Sequence, residues 1–95
     1  MTHEKIVVKE NGDKVKLRVN FWENYGQAKY EVSASLCVKG KRLFKPVYDT
    51  DDYRYRRLEK KERDEWIENK ILEHATAAEI MQAKIECWQL LKPCL

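Results

Sequence analysis

Residues 14–38 read KVKLRVNFWENYGQAKYEVSASLCV, and this stretch decides the fold. Val15, Leu17, Val19 and Phe21 alternate with Lys14, Lys16, Arg18 and Asn20. Ala28, Tyr30, Val32, Ala34, Leu36 and Val38 then alternate with Lys29, Glu31, Ser33, Ser35, Cys37 and Lys39. In an extended chain successive side chains point to opposite faces, so each run has one apolar and one polar face. Two such runs joined by a short polar segment describe adjacent antiparallel strands covered on one side only.

Working outward, Lys5–Lys9 reads as an earlier strand with Ile6 and Val8 as its core residues. Asn11-Gly12 suits a two-residue type I′ turn, which needs positive φ at both central positions. That turn pairs Glu10 with Asp13, Val8 with Val15 and Ile6 with Leu17, and sets Lys9 opposite Lys14 and Lys5 opposite Arg18. The next connection, Glu23-Asn24-Tyr25-Gly26, pairs Trp22 with Gln27, Val19 with Tyr30 and Leu17 with Val32. Lys39-Gly40 starts a further turn, and Arg42–Tyr48 reads as a fourth strand. Pro46 lacks a donor and assigns that strand to the sheet edge. A two-residue loop turns Leu43 inward, a bulged one Phe44. Asp49-Thr50-Asp51-Asp52 breaks the strand pattern.

From about residue 58 to 92 the period changes from two to 3.6. Ile67, Ile71, Ala75, Ala78, Met81, Ile85 and Trp88 recur at three- and four-residue spacing. Thr76-Ala77-Ala78-Glu79 is a capping-box pattern that offers a second helix start. The stripe keeps its phase through it without Gly or Pro, which favours one bent or continuous helix ended by Pro93. The expected fold is α+β, an antiparallel three- to four-stranded meander with a long C-terminal helical segment packed on one face. Residues 1–95 form one domain, with the sheet over about 5–48. Val15, Leu17, Val19, Tyr30, Val32, Leu36, Ile67, Ile71, Ile85 and Trp88 are the expected core.

The chain of 95 residues carries a net charge of +3. Residues 1–57 hold 13 Lys and Arg against 8 Asp and Glu, and residues 58–95 hold 6 against 8, so the sheet half is basic and the helical half mildly acidic. No apolar run is long enough for a signal segment or a membrane span, so a cytoplasmic protein is expected. Three cysteines without motif spacing suit reduced thiols.

No nucleophile elbow or phosphate loop stands near His3, His74, Ser33 or Ser35, so no enzyme is expected. Cys37, Cys87 and Cys94 lack zinc spacing, Asp49, Asp51 and Asp52 lack the calcium-loop pattern, and no cofactor is implied. The residues suited to contact are Trp22, Tyr25, the basic turn Lys39, Lys41, Arg42 and Lys45, and the interleaved segment Tyr53, Arg54, Tyr55, Arg56 and Arg57. An exposed Trp beside a turn fits a protein contact. Rings interleaved with guanidinium groups fit stacking on bases beside phosphate.

The primary expectation is a small non-catalytic cytosolic binding protein acting through protein–protein contacts on a protein or nucleoprotein partner. A meander followed by a helix recurs in many unrelated small proteins, including arm-type DNA-binding domains and phage-encoded inhibitors of host defence, a likeness of layout and not of residues. By that analogy a phage or mobile-element inhibitor, such as an anti-defence protein, or an accessory factor is expected. The alternative is a basic nucleic-acid-binding domain contacting phosphate. A helix that overhangs the sheet leaves apolar surface for a homodimer.

Overall fold

The computed structural model describes residues 1–91; the expectations resting on Lys92, Pro93 and Cys94 lie outside them. Strands β1 (Thr2–Val8), β2 (Lys14–Asn24), β3 (Gln27–Cys37) and β4 (Lys45–Pro46) form one antiparallel sheet in the order β1-β2-β3-β4. Helices α1 (Tyr53–Arg57), α2 (Lys60–Leu72) and α3 (Ala77–Leu91) follow, and α3 packs across β1 and β2. This is the α+β meander that the change of period implies.

The β2–β3 ribbon is the centre of the molecule. Val15, Leu17 and Val19 are fully buried and face Leu36, Ala34 and Val32 across the ladder. The strands turn through two residues, Tyr25 at φ 51° and Gly26 at φ 76°, the positive pair of a type I′ hairpin. The connection is thus shorter than the four residues expected from sequence, and the cross-strand partners move by two. Leu17 faces Ala34 rather than Val32, Val19 faces Val32 rather than Tyr30, and Trp22 faces Lys29 rather than Gln27. A shift of two leaves every side chain on its expected face.

The β1–β2 hairpin departs by one residue. The Gly12 N–H donates to Lys9 O at 2.9 Å and the Lys9 N–H to Asp13 O at 2.8 Å, with Gly12 at φ 93°. Glu10, Asn11 and Gly12 therefore form a three-residue loop, a turn closed by a left-handed glycine bulge. Asn11 Oδ1 accepts from the Asp13 N–H and Asp13 Oδ1 from the Lys39 N–H, which ties the longer loop to the β3–β4 connection. Val7 now opposes Val15, Lys5 opposes Leu17 and His3 opposes Val19. Ile6 and Val8, expected in the core, lie on the outer face with 52% and 66% of their surface exposed. The like-charge pairs expected along this ladder disappear, and Glu4 stands opposite Arg18.

The fourth strand is shorter than expected. Pro46 opposes Ser35 and Lys45 opposes Leu36, after which the Val47 N–H donates to Ala34 O at 3.1 Å. Val47 packs on the core. Leu43 is exposed, and Phe44 lies under Lys16 Nζ, 4.4 Å from its ring centre, on the outer face. Neither residue turns inward.

The helical segment from about residue 58 is two helices, α2 and α3, not one, and the short α1 precedes it. The Thr76–Glu79 capping box forms: the Thr76 N–H donates to Glu79 Oε1 at 2.8 Å and the Glu79 N–H to Thr76 Oγ1 at 3.1 Å. Ahead of it, the Ala75 N–H donates to Ile71 O at 2.9 Å at the end of α2. The interruption resets the phase. Ile67, Ile71 and Ala75 face the core as expected, but α3 turns Ile80, Ala83 and Cys87 inward. Met81, Ile85 and Trp88 are 54%, 42% and 39% exposed, so Ile85 and Trp88 are not core residues, and Tyr30 is exposed to a similar extent.

Candidate partner-binding surface

The site residues expected from sequence fall into three groups. Trp22 and Tyr25 stand at the far end of the β2–β3 ribbon. Trp22 is on the outer face opposite Lys29, and Tyr25, in the turn, is 96% exposed. Lys39, Lys41, Arg42 and Lys45 follow β3 on the surface, with the Lys39 stem lying over Gly12. Among the described residues none of these four enters an ion pair, and neither do Lys14, Lys16 or Lys29.

The Tyr53–Arg57 segment is organised differently. It is the short helix α1, capped by Asp52, whose Oδ1 accepts from the Arg54 N–H at 2.9 Å. Arg54 Nη2 also donates to Asp52 Oδ2 at 2.8 Å, and Arg56 Nη2 donates to Asp51 Oδ1 at 2.9 Å. Hydrogen bonds from the Arg54 side chain and backbone hold the Asp52 carboxyl below the usual range, and the same pairing raises the Arg54 guanidinium. Tyr55 is half-buried with its ring 5.7 Å from Trp66, and the Arg63 guanidinium lies 5.2 Å from the centre of the same ring. The Arg57 guanidinium lies 5.9 Å from the Tyr53 ring centre. Two of the three arginines are thus neutralised locally and one of the two rings packs inside the fold. No ion pair or hydrogen bond among the described residues joins α1 to the Lys39–Lys45 turn.

Sequence reasoning placed Ile85 and Trp88 in the core and Met81 on the same stripe, and so missed a second surface. With Ala78 they keep their three- and four-residue spacing along α3, on the flank turned away from the buried Ala83 and Cys87. On the opposite flank Glu79 pairs with Lys9, while Glu86 accepts from Lys5 Nζ at 3.0 Å and stands 3.8 Å from His3 Nε2. Those contacts clamp α3 to β1 and fix its rotation. The Lys9 and Thr76 hydrogen bonds hold the Glu79 carboxyl below the usual range.

The apolar stripe runs into aromatic surface. The Trp88 ring is 6.3 Å from Phe21 edge-on, and Phe21 is 5.1 Å from Tyr30. Tyr30 in turn borders a cleft of about 380 Å³ between β3, α2 and α3, floored by Val32, Ile67, Ile71 and Ile80. Tyr48 also lines it; burial, helped by Glu31 and Tyr55, raises its phenol above the ordinary value. The capping box and the seven-residue spacing of Glu79 and Glu86 were the sequence signals that could have set the α3 phase. Among the described residues no group of three metal-ligating side chains gathers, and no helix is long and apolar enough to cross a membrane.

Comparison of the chain with protein-family models, curated proteins and solved structures finds no match.

Proposed function

We propose that this chain is a non-catalytic binding protein that works by occupying a surface of a protein or nucleoprotein partner. The observation that carries the reading is the exposed stripe Met81, Ile85 and Trp88 on α3, continuous through Phe21 with Tyr30. Large apolar and aromatic side chains gathered on one exposed flank, rimmed by polar residues, have the composition of a contact surface. Such a surface is all that an inhibitor or accessory factor of the kind phages and mobile elements encode needs.

The test is capture from a bacterial lysate by the wild-type chain and by a Met81→Glu/Ile85→Glu variant. Both positions are exposed, so the variant should fold with near-parental stability. Partners held by the parent and by Trp22→Ala, but lost by the α3 variant, are the expected result. The same proteins captured equally by all three would refute the assignment. Concentration-dependent dimerisation abolished by the α3 variant would make the partner a second copy.

A second reading is supported by the uncompensated cations Lys14, Lys16, Lys29, Lys41, Arg42 and Lys45. They would meet a phosphate backbone, and binding would weaken steeply with salt through counterion release. Replacing Lys41, Arg42 and Lys45 by Ala should flatten that slope for a labelled oligonucleotide, whereas Arg54→Ala and Arg56→Ala should change it little. An absence of oligonucleotide binding at low salt excludes this reading.

A further inference from the structure

Strand β3 has eleven residues, and β4 covers only the end that holds Ser35 and Leu36. The Val47 N–H reaches Ala34 O, so the even-numbered residues of β3 turn their backbone groups away from β2. Ala28, Tyr30 and Val32 therefore present N–H and C=O groups along an open edge, and among the described residues no hydrogen bond meets them. An unpaired row of this kind is a template for another strand.

The ground beside that edge is shaped and charged. Side chains of an added strand that stand opposite Tyr30 and Val32 share their face and point into the cleft against Ile67 and Ile80. Asp64 and Glu68 stand at its rim with a single cation, Lys84, and Glu31 lies on the edge itself. None of these four charges has an ion-pair partner among the described residues. Three carboxylates against one ammonium favour a cationic occupant and disfavour an acidic one.

We infer that the open edge of β3 accepts an extended, net-cationic strand of a protein partner, which continues the sheet where β4 leaves it and seats alternate apolar side chains in the cleft between α2 and α3. This deepens the protein-binding reading and rests on it. Main-chain bonds supply affinity, and the cleft with its acidic rim supplies selectivity.

The probe is an octapeptide of alternating lysine and valine, set against its glutamate–valine counterpart. The cationic peptide should bind at least tenfold tighter, and amide hydrogen exchange at Ala28, Tyr30 and Val32 should slow at least tenfold on binding. A Glu31→Gln/Asp64→Asn/Glu68→Gln variant, changed only at exposed positions, should lose most of that preference. Equal binding of the two peptides overturns the inference, as does binding that leaves those amides unprotected. Protection that rises with protein concentration alone assigns the edge to a second copy and likewise overturns it. The Met81→Glu/Ile85→Glu variant keeps the two proposals apart. If it loses a captured partner while the octapeptide fails to bind the parent, the edge is excluded and the α3 surface stands. If the octapeptide binds and protects the edge but capture is unaffected by that variant, the α3 surface falls and the edge remains.

Discussion

The two hairpins that share β2 reverse the chain by different means, and the difference decides which side chains meet the helices. Between β2 and β3 the turn is Tyr25-Gly26, both residues left-handed, with the pleat in phase on either side. Between β1 and β2 the loop is Glu10-Asn11-Gly12, one residue longer, closed by a glycine at φ 93°. An added pair of residues in a hairpin preserves the faces, whereas a single one inverts a whole strand. The bulged loop therefore sends Val7 to the core and Ile6 and Val8 to solvent, and puts His3, Lys5 and Lys9 on the helix side. There they meet Glu86 and Glu79 of α3. The first hairpin is the polar clamp of the fold and the second its apolar floor.

The largest effect should come from the floor. Leu17 is fully buried beneath α3, and Leu17→Ala should destabilise by about 3 kcal/mol through lost burial and the cavity left behind. For a domain of this size that lowers Tm by roughly 15 °C, read by thermal unfolding. The clamp is tested by parity. Val7→Asp places a charge on the core side and should cost about 2 kcal/mol, whereas Val8→Asp, one residue along and exposed, should stay within about 0.5 kcal/mol. Equal effects at the two positions would show that the bulged register is wrong.

These positions also show what the residues disclose by themselves. The β2–β3 faces were legible because period-two patterning tolerates an error of two: Leu17 finds Ala34 instead of Val32 and remains buried. The β1 face was not, because Asn11-Gly12 suits both a two-residue turn and the end of a longer bulged loop. What separates them lies far along the chain, in the carboxylates of Glu79 and Glu86 and in the Asp13 contact with the Lys39 backbone. The α3 surface was hidden for a related reason. A stripe from Ile67 to Trp88 that never loses its spacing reads as one helix face, yet the interruption at Thr76 turns its second half outward. The interleaved tyrosines and arginines of α1 looked cationic, but Asp51 and Asp52 pair with two of those arginines.

The clamp also carries a pH dependence. Glu79 titrates below its ordinary range because Lys9 and the Thr76 N–H bind its charged form. A carboxylate with a lowered folded-state pKa stabilises fully above its unfolded value, about 4.3, and loses that contribution as pH falls through the folded value. Glu79→Gln should therefore be about 1 kcal/mol less stable than the parent at pH 7, with the gap narrowing below about pH 4. Thr76→Ala should cost a similar amount, about 1 kcal/mol, by removing the cap, and its deficit should persist at low pH. A Glu79→Gln deficit that stays constant down to pH 3 would assign the effect to packing.

The smallest expected change is a gain. Tyr25 is the one described non-glycine residue at positive φ, with almost its whole surface in solvent. A ring that contacts little there gives no packing to offset the left-handed backbone, which Asn adopts more readily than Tyr. Asn followed by Gly26 also makes the preferred type I′ pair. Tyr25→Asn should therefore stabilise the chain by about 0.5 kcal/mol, or roughly 3 °C in Tm. The same substitution removes one exposed ring from the sheet end without touching α3 or the β3 edge. A gain in Tm with partner capture intact means the tyrosine is only a turn residue. A gain accompanied by loss of capture means that Tyr25 is held in an unfavourable conformation as a contact, and that the binding surface extends from Trp88 to the tip of the ribbon.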